Sequence, residues 1–223
     1  LVGIHATDGE PDQARSGLPT RTDDDPGGVG VSLERLLAIA KLTPAQAAVL
    51  VTDVGQNQMQ SARYFRYTRP RSIITSGGQG TMGFGLPAAI GAKIAAPDRT
   101  VCLFAGDGGL QMTIEELGVI LQYNVDVKIV LLNNDFLGMV RQWQELFYNQ
   151  RYSETPLVNP NFVMIANAYG IPAENVETPD QLDDAIDRMV KHDGAYLLNV
   201  NINPSELVYP MVPSGSVLDN ILL

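Results

Sequence analysis

Cysteine is nearly absent from this chain: Cys102 is the only one in 223 residues, so no intrachain disulfide can form. It sits inside an apolar run, where a thiol acts as a small buried hydrophobe. Histidine is scarce as well. His5 falls in a segment that reads as a tail and His192 at the end of a predicted helix, and neither has metal-ligand spacing. Positive charge is the third shortage, with 15 Lys and Arg against 25 Asp and Glu and a net charge of −10. Nucleic acid and anionic membranes both reward clustered Lys and Arg, so neither is expected as a partner. A short basic patch at 63–71 (RYFRYTRPR) is the exception. Interleaved aromatics and arginines can stack on single-stranded nucleic acid, but against the overall acidity an exposed turn or a subunit contact is the expected reading. No stretch is apolar over the roughly 18 residues that suggest a membrane span, and no charged-then-apolar leader is present. The chain begins at Leu1 rather than methionine, as a processed, trimmed or partial chain would.

What is present divides the sequence in two. Residues 8–30 are dense in Asp, Gly, Pro, Thr and Arg, carry the acidic run Asp23-Asp24-Asp25 and lack apolar periodicity. Residues 1–31 therefore read as a linker or disordered lead. Residues 32–223 suit one domain with an adequate core, and no internal repeat is visible.

Within that domain two places concentrate chemistry. Thr100 to Ala105 (TVCLFA) is an apolar run of strand formers that stops at Gly106-Asp107-Gly108-Gly109. Glycines there let a backbone turn beside a ligand, so a strand is expected to deliver Asp107 to a loop. Met112 to Tyr123 reads as a helix, with Met112, Leu117, Ile120 and Leu121 near helical spacing and Glu115 and Glu116 in its early turns, where acids oppose the helix dipole. Val127 to Leu132 (VKIVLL) is a second strand, ending at Asn133-Asn134-Asp135, and a helix over Leu137 to Tyr148 follows. Asp107 and Asn134 thus lie at the carboxyl ends of two strands joined by a helix, where ligands bind in open α/β sheets. One carboxylate and one amide oxygen suit Mg²⁺, which takes few protein ligands and completes its octahedron with phosphate and water. A lone Gly-Asp-Gly is weak, because most glycine clusters mark ordinary turns; the pairing with Asn134 is what points to a magnesium diphosphate.

Gly106-Asp107-Gly108, 24 residues, then Asn133-Asn134 resembles the cofactor motif of thiamine-diphosphate enzymes. Three further stretches resemble the catalytic subunit of acetohydroxyacid synthase, also called acetolactate synthase: residues 76–92 (SGGQGTMGFGLPAAIGA), 137–148 (LGMVRQWQELFY) and 209–218 (YPMVPSGSVL). The likeness runs from about Ser32 to the C-terminus. It implies a doubly wound, mostly parallel α/β sheet, the diphosphate-binding domain of such an enzyme, with a C-terminal arm over about 204–223. It also implies pyruvate decarboxylation followed by condensation with a second 2-keto acid, pyruvate or 2-ketobutyrate, in branched-chain amino acid biosynthesis.

The resemblance also assigns residues. Mg²⁺ falls to the Asp107 carboxylate, the Asn134 side chain and the Phe136 carbonyl. The diphosphate falls to Gly55, Gln56 and Asn57, to the loop at Gly106, Gly108 and Gly109, and to amides at Leu137, Gly138 and Met139. Backbone N–H groups at a helix start favour anions, so no Lys or Arg is required. Relatives usually carry a histidine where Asn57 stands, and an amide can still donate one hydrogen bond. The Gly80 carbonyl would hold the aminopyrimidine, and Met82 would wedge under the cofactor; without the resemblance Met82 reads first as a core methionine filling an irregular gap. Trp143, the only tryptophan, would line the substrate channel and favour 2-ketobutyrate, its plain reading being an inward-packed helix aromatic. The C-terminal arm reads either as a closing segment that keeps water from the reaction or as a surface tail.

The same likeness implies what lies elsewhere. A glutamate from the pyrimidine-binding domain of a neighbouring subunit completes the site in such enzymes, and FAD binds mostly on another domain; no glutamate here, Glu34, Glu115 and Glu116 included, stands in that context. A homo-oligomer, a possible small regulatory subunit and a cytoplasmic setting, or a plastid or mitochondrion in a eukaryote, are expected. A split thiamine-diphosphate decarboxylase subunit and a noncatalytic binding or assembly module remain open as alternatives.

Overall fold

The structure, a computed structural model, describes residues 49–65, 67, 69–213 and 215–222. The lead at 1–31, His5 and Glu34 lie outside the described residues. Among the described residues six strands form one sheet in which every pairing is parallel, in the order β2-β1-β3-β4-β6-β5. The strands are β1 (Val49–Thr52), β2 (Ile73–Ile74), β3 (Val101–Gly106), β4 (Val127–Asn133), β5 (Ala173–Val176) and β6 (Tyr196–Asn201). The helices are α1 (Gln56–Tyr64), α2 (Gly85–Ala95), α3 (Asp107–Gln111), α4 (Leu117–Tyr123), α5 (Gly138–Phe147), α6 (Phe162–Ala168) and α7 (Leu182–Lys191).

A strand buried on both faces reads as a near-continuous apolar run, and β3 and β4 do so because helices cover both sides; the one interruption before their ends, Lys128 of β4, is buried and paired with Asp126 at 2.8 Å. Alternate residues of these strands enter two separate cores. Val101, Leu103 and Ala105, with Val127, Ile129 and Leu131, pack against α2, α4 and α6. Cys102 and Phe104, with Val130 and Leu132, pack against α7 and Tyr64 of α1. Burial pushes the Cys102 thiol up to about 12, which keeps it protonated and inert.

The sequence places both strands within one residue of their observed ends, but two local expectations differ. Asp107 does not enter a loop; it opens the one-turn helix α3. The helix expected over 112–123 is broken. A 3-10 turn spans Ile114–Glu116 and α4 begins only at Leu117, leaving Met112 and Leu121 each 56% exposed while Leu117 and Ile120 face the core. The break is at Thr113, whose φ of −138° leaves the helical region and whose hydroxyl donates to the Gly83 carbonyl at 3.0 Å.

From β1 the chain runs to β2 on one side and later returns to β3 on the other. The carboxyl ends of β1 and β3 therefore flank the point where the strand order reverses, and the crevice there is the natural ligand position in such sheets.

Candidate functional site

A cavity of about 220 Å³ opens at that crevice. The ends of β1, β3 and β4 supply its floor and α1 and α5 its walls, and Ile202, Asn203, Glu206 and Val208 of the chain after β6 close one side. Of the residues singled out in the sequence it is lined by Gly55, Gln56, Asn57, Met82, Gly106, Asp107, Gly108, Gly109, Asn134, Phe136, Leu137, Gly138 and Met139. Gly80 and Trp143 are not among its lining residues. Gly80 lies against Val54, which does line it, and Trp143 stacks on Phe147 at 4.9 Å between ring centroids.

Asp107 is 2% exposed. Its Oδ1 accepts from the Gly108 amide at 3.0 Å and its Oδ2 from Asn159 Nδ2 at 2.6 Å. Burial pushes its carboxyl up to about 6, overcoming the lowering effect of those two bonds, and the neighbouring Asp135 charge adds to the rise. Asn134 is also buried, and its Oδ1 accepts from the Phe136 amide at 3.1 Å, an Asx turn that fixes the start of the loop. Asp135 takes a left-handed conformation, φ 57°, which Asp tolerates better than most residues. The loop is clamped from outside by Leu137 N–H to Thr155 O at 2.8 Å and Leu157 N–H to Asp135 O at 2.7 Å.

The opposite lining offers backbone amides rather than a cation, for among the described residues no Lys or Arg lines the cavity. The first amides of a helix have no intrahelical acceptor. Here α1 starts after Gly55 and α5 after Leu137, and both starts border the cavity. Gly55 has φ 104°, a conformation open mainly to glycine, and so lets β1 turn into α1 within three residues. Gly109 serves a different need than a tight turn. A Cβ there would overlap the Asp53 carboxylate, so glycine is required for close approach.

Gln56 and Asn57 have their amides engaged within the protein. Gln56 Nε2 donates to Gln142 Oε1 and to Glu206 O, each at 3.0 Å, and its oxygen rests against Gly138. Asn57 Nδ2 donates to Val54 O at 2.9 Å, leaving its buried Oδ1 without a partner among the described residues.

Three residues that organise this site were not legible as site residues. Asp53 is 1% exposed and accepts from the amides of Val54, Gly83 and Gly85 at 2.8, 3.2 and 2.8 Å, fixing the turn that carries Met82. The signal for it was available: VTDVG repeats at β1 the pattern of an apolar strand, an Asp and a glycine seen in FAGDG at β3. Asn159 gathers three oxygens around its amide nitrogen, and nothing in its Asn-Pro context signals this. Gln142, fully buried, brackets the Val208 backbone, donating to its carbonyl at 3.1 Å and accepting from its N–H at 2.9 Å. Its place inside α5 hides that role.

The chain matches the family model of the thiamine pyrophosphate enzyme C-terminal TPP binding domain over residues 53–200. It belongs to that family. It is 48% identical over 194 residues to the acetolactate synthase isozyme 2 large subunit of Escherichia coli (strain K12), covering 86% of this chain and 35% of that protein. It is 49% identical over 176 residues to the acetolactate synthase large subunit of Lactococcus lactis, covering 78% of this chain and 30% of that protein. Against the mitochondrial acetolactate synthase of Schizosaccharomyces pombe it is 47% identical over 174 residues, 78% of this chain and 26% of that protein. The chain thus spans about a third of the length of these relatives or less. The matched span of this TPP-binding domain takes in the cavity floor, the starts of α1 and α5 and all three oxygen groups at Asp107, Asn134 and Phe136. Among its described residues no helix is long and apolar enough to cross a membrane.

Proposed function

We propose that this TPP-binding domain is the diphosphate-binding portion of an acetolactate synthase, which decarboxylates pyruvate and joins the retained two-carbon unit to pyruvate or 2-ketobutyrate. The observation that carries the reading is the meeting of Asp107, Asn134 and two helix starts in one cavity that no cationic side chain lines among the described residues. A buried carboxylate facing a pocket of amides is compensated by a hard cation that in turn holds an anion. The donor set fits Mg²⁺: a carboxylate, an amide oxygen and a backbone carbonyl are all oxygen ligands. Among the described residues no group of three His, Cys, Asp or Glu competes with it as a metal cage.

In this reading Asp107, Asn134 and the Phe136 carbonyl hold Mg²⁺, and the first-turn amides of α1 and α5 receive the diphosphate. The Gly80 carbonyl holds the aminopyrimidine, and Met82, with its turn pinned by Asp53, supports the cofactor from below. The residues after β6 wall off the diphosphate end from water. Thiamine diphosphate, when bound, supplies the electron sink that lets a 2-keto acid lose carbon dioxide. Trp143 lines the approach of the second 2-keto acid, and FAD and the glutamate that completes the site belong to chain outside this domain.

The test is made on the native full-length polypeptide. Thiamine diphosphate binding is measured by titration with and without Mg²⁺, and products from pyruvate are then separated. Mg²⁺-dependent binding with acetolactate as product supports the assignment. Binding with acetaldehyde as the main product would move the protein to the decarboxylases, and binding with no turnover would make it an assembly module.

A further inference from the structure

We propose that Asn159 is a positioning residue for the metal ligand Asp107. The inference rests on the metal assignment above and deepens it. Asn159 lies in the extended chain before α6, outside both strands that carry the ligands. Its Nδ2 stands 2.6 Å from Asp107 Oδ2, 2.9 Å from Asn133 Oδ1 and 2.9 Å from Asp135 Oδ1. Carboxylates ionised at neutral pH accept and do not donate, so the atom facing Asp107 and Asp135 must be the nitrogen, and the amide orientation is fixed by its surroundings. The Asn159 oxygen is occupied as well, accepting from Gln111 Nε2 at 2.8 Å at the end of α3.

One side chain therefore ties the end of β3, through Asp107, to the end of β4, through Asn133 and Asp135. Those are the two chain segments that carry the oxygen ligands, and nothing in the sheet ladder fixes the positions of side chains beyond the last paired residues. Asn159 also places two N–H groups between Asp107 and Asp135, whose charges repel. The other Asp107 oxygen accepts from the Gly108 amide, so both carboxylate oxygens are oriented by donors of this chain. Outer partners of this kind set the geometry of the ligand they touch, and their loss typically weakens metal binding about 10–100-fold.

The experiment measures Mn²⁺ binding by the paramagnetic resonance signal of the free ion. It uses the full-length protein with saturating thiamine diphosphate, and the metal-free thermal midpoint is read alongside. Asn159→Leu keeps the heavy-atom count and the branching at Cγ and removes every side-chain hydrogen bond. It should raise the Mn²⁺ dissociation constant about 10–100-fold in protein that is still folded at the assay temperature, a condition checked by the metal-free midpoint, which the lost hydrogen bonds will lower. Gln111→Ala, which leaves Asn159 in place but frees its oxygen side, should shift affinity in the same direction at the low end of that range. If Asn159→Leu does not fold, Gln111→Ala carries the test. Parental Mn²⁺ affinity in each variant that folds would overturn the positioning role while leaving the metal site intact. Failure of the parent protein to bind Mn²⁺ with the cofactor would instead overturn the metal assignment, and the positioning role with it.

Discussion

The two ends of the candidate site are built on opposite plans. Around Asp107 the chain finishes its own work: carboxylates are met by named donors, and at Gly109 a single added methyl would overlap the Asp53 carboxylate. Around Gly77 to Thr81 the backbone is exposed, and a Cβ added at Gly78 would meet nothing within 4 Å. The first end is specified by contacts within this chain, so substitutions there should register in cofactor and metal binding. The second is open, and its residues acquire a role only with a ligand or another surface against them.

The sharpest break of that contrast is Asp107→Ala. It removes a ligand rather than a support, so Mg²⁺-dependent thiamine diphosphate binding should weaken by more than the roughly 100-fold upper range of outer-shell changes. Calorimetric titration with and without Mg²⁺ checks it, and unchanged affinity would remove Asp107 from the site. Next in size is Gly109→Ala. Forcing a methyl against a carboxylate held by three amides should lower stability by about 1–3 kcal/mol, read as a shift in the urea midpoint, whereas Gly78→Ala should stay within about 0.5 kcal/mol of the parent. Equal shifts would show that the two ends are not differently built.

A third effect is set by pH. The Asp107 carboxyl is raised to about 6 in the metal-free fold, so a proton competes with the metal below that value, and affinity should fall up to about tenfold per pH unit there. The sign for folding is opposite. A raised carboxyl stabilises the metal-free fold fully below its unfolded value, and that contribution is lost as pH rises through about 6. Asp107→Asn should flatten both profiles; metal binding that keeps its parental pH dependence in that variant would assign the titration to another group. The smallest expected effect is at Trp143, which lies off the cavity wall. Trp143→Leu in the full-length enzyme should change the product ratio under competition between pyruvate and 2-ketobutyrate by about tenfold or less, and an unchanged ratio would take Trp143 out of the substrate path.

How far the sequence could be read follows from the range of the interactions involved. β3 and β4 were legible because burial on both faces leaves a run that is apolar throughout in β3 and broken in β4 only by Lys128, and the positions of Asp107 and Asn134 were legible because they follow those runs. The interrupted helix at Thr113 was not, since its hydroxyl reaches Gly83, 30 residues away. Asn159 was hidden for the same reason, its partners lying 24 to 52 residues off. Gln142 shows the limit most plainly. A polar residue in a helix reads as solvent-facing, yet here it is enclosed because the chain after β6 offers a backbone N–H and C=O at its level.

That enclosing segment is held in an unusual manner. Arg141 donates to Pro204 O, Gln56 to Glu206 O, Gln142 to Val208 O, and Arg63 to the carbonyls of Tyr209 and Pro210. Every one of these grips is on peptide groups, which all residue types share. The segment is thereby free to drift in spelling at exposed positions such as Ser205 without losing its path, while the letters that hold it are divided between α1 and α5 and its own buried Val208 and Met211, the latter's sulfur accepting from Gln142 at 3.1 Å. A change in how this wall lies over the cavity can then start from α1 or α5 as well as from the segment itself, and a comparison of tails alone would miss the first kind.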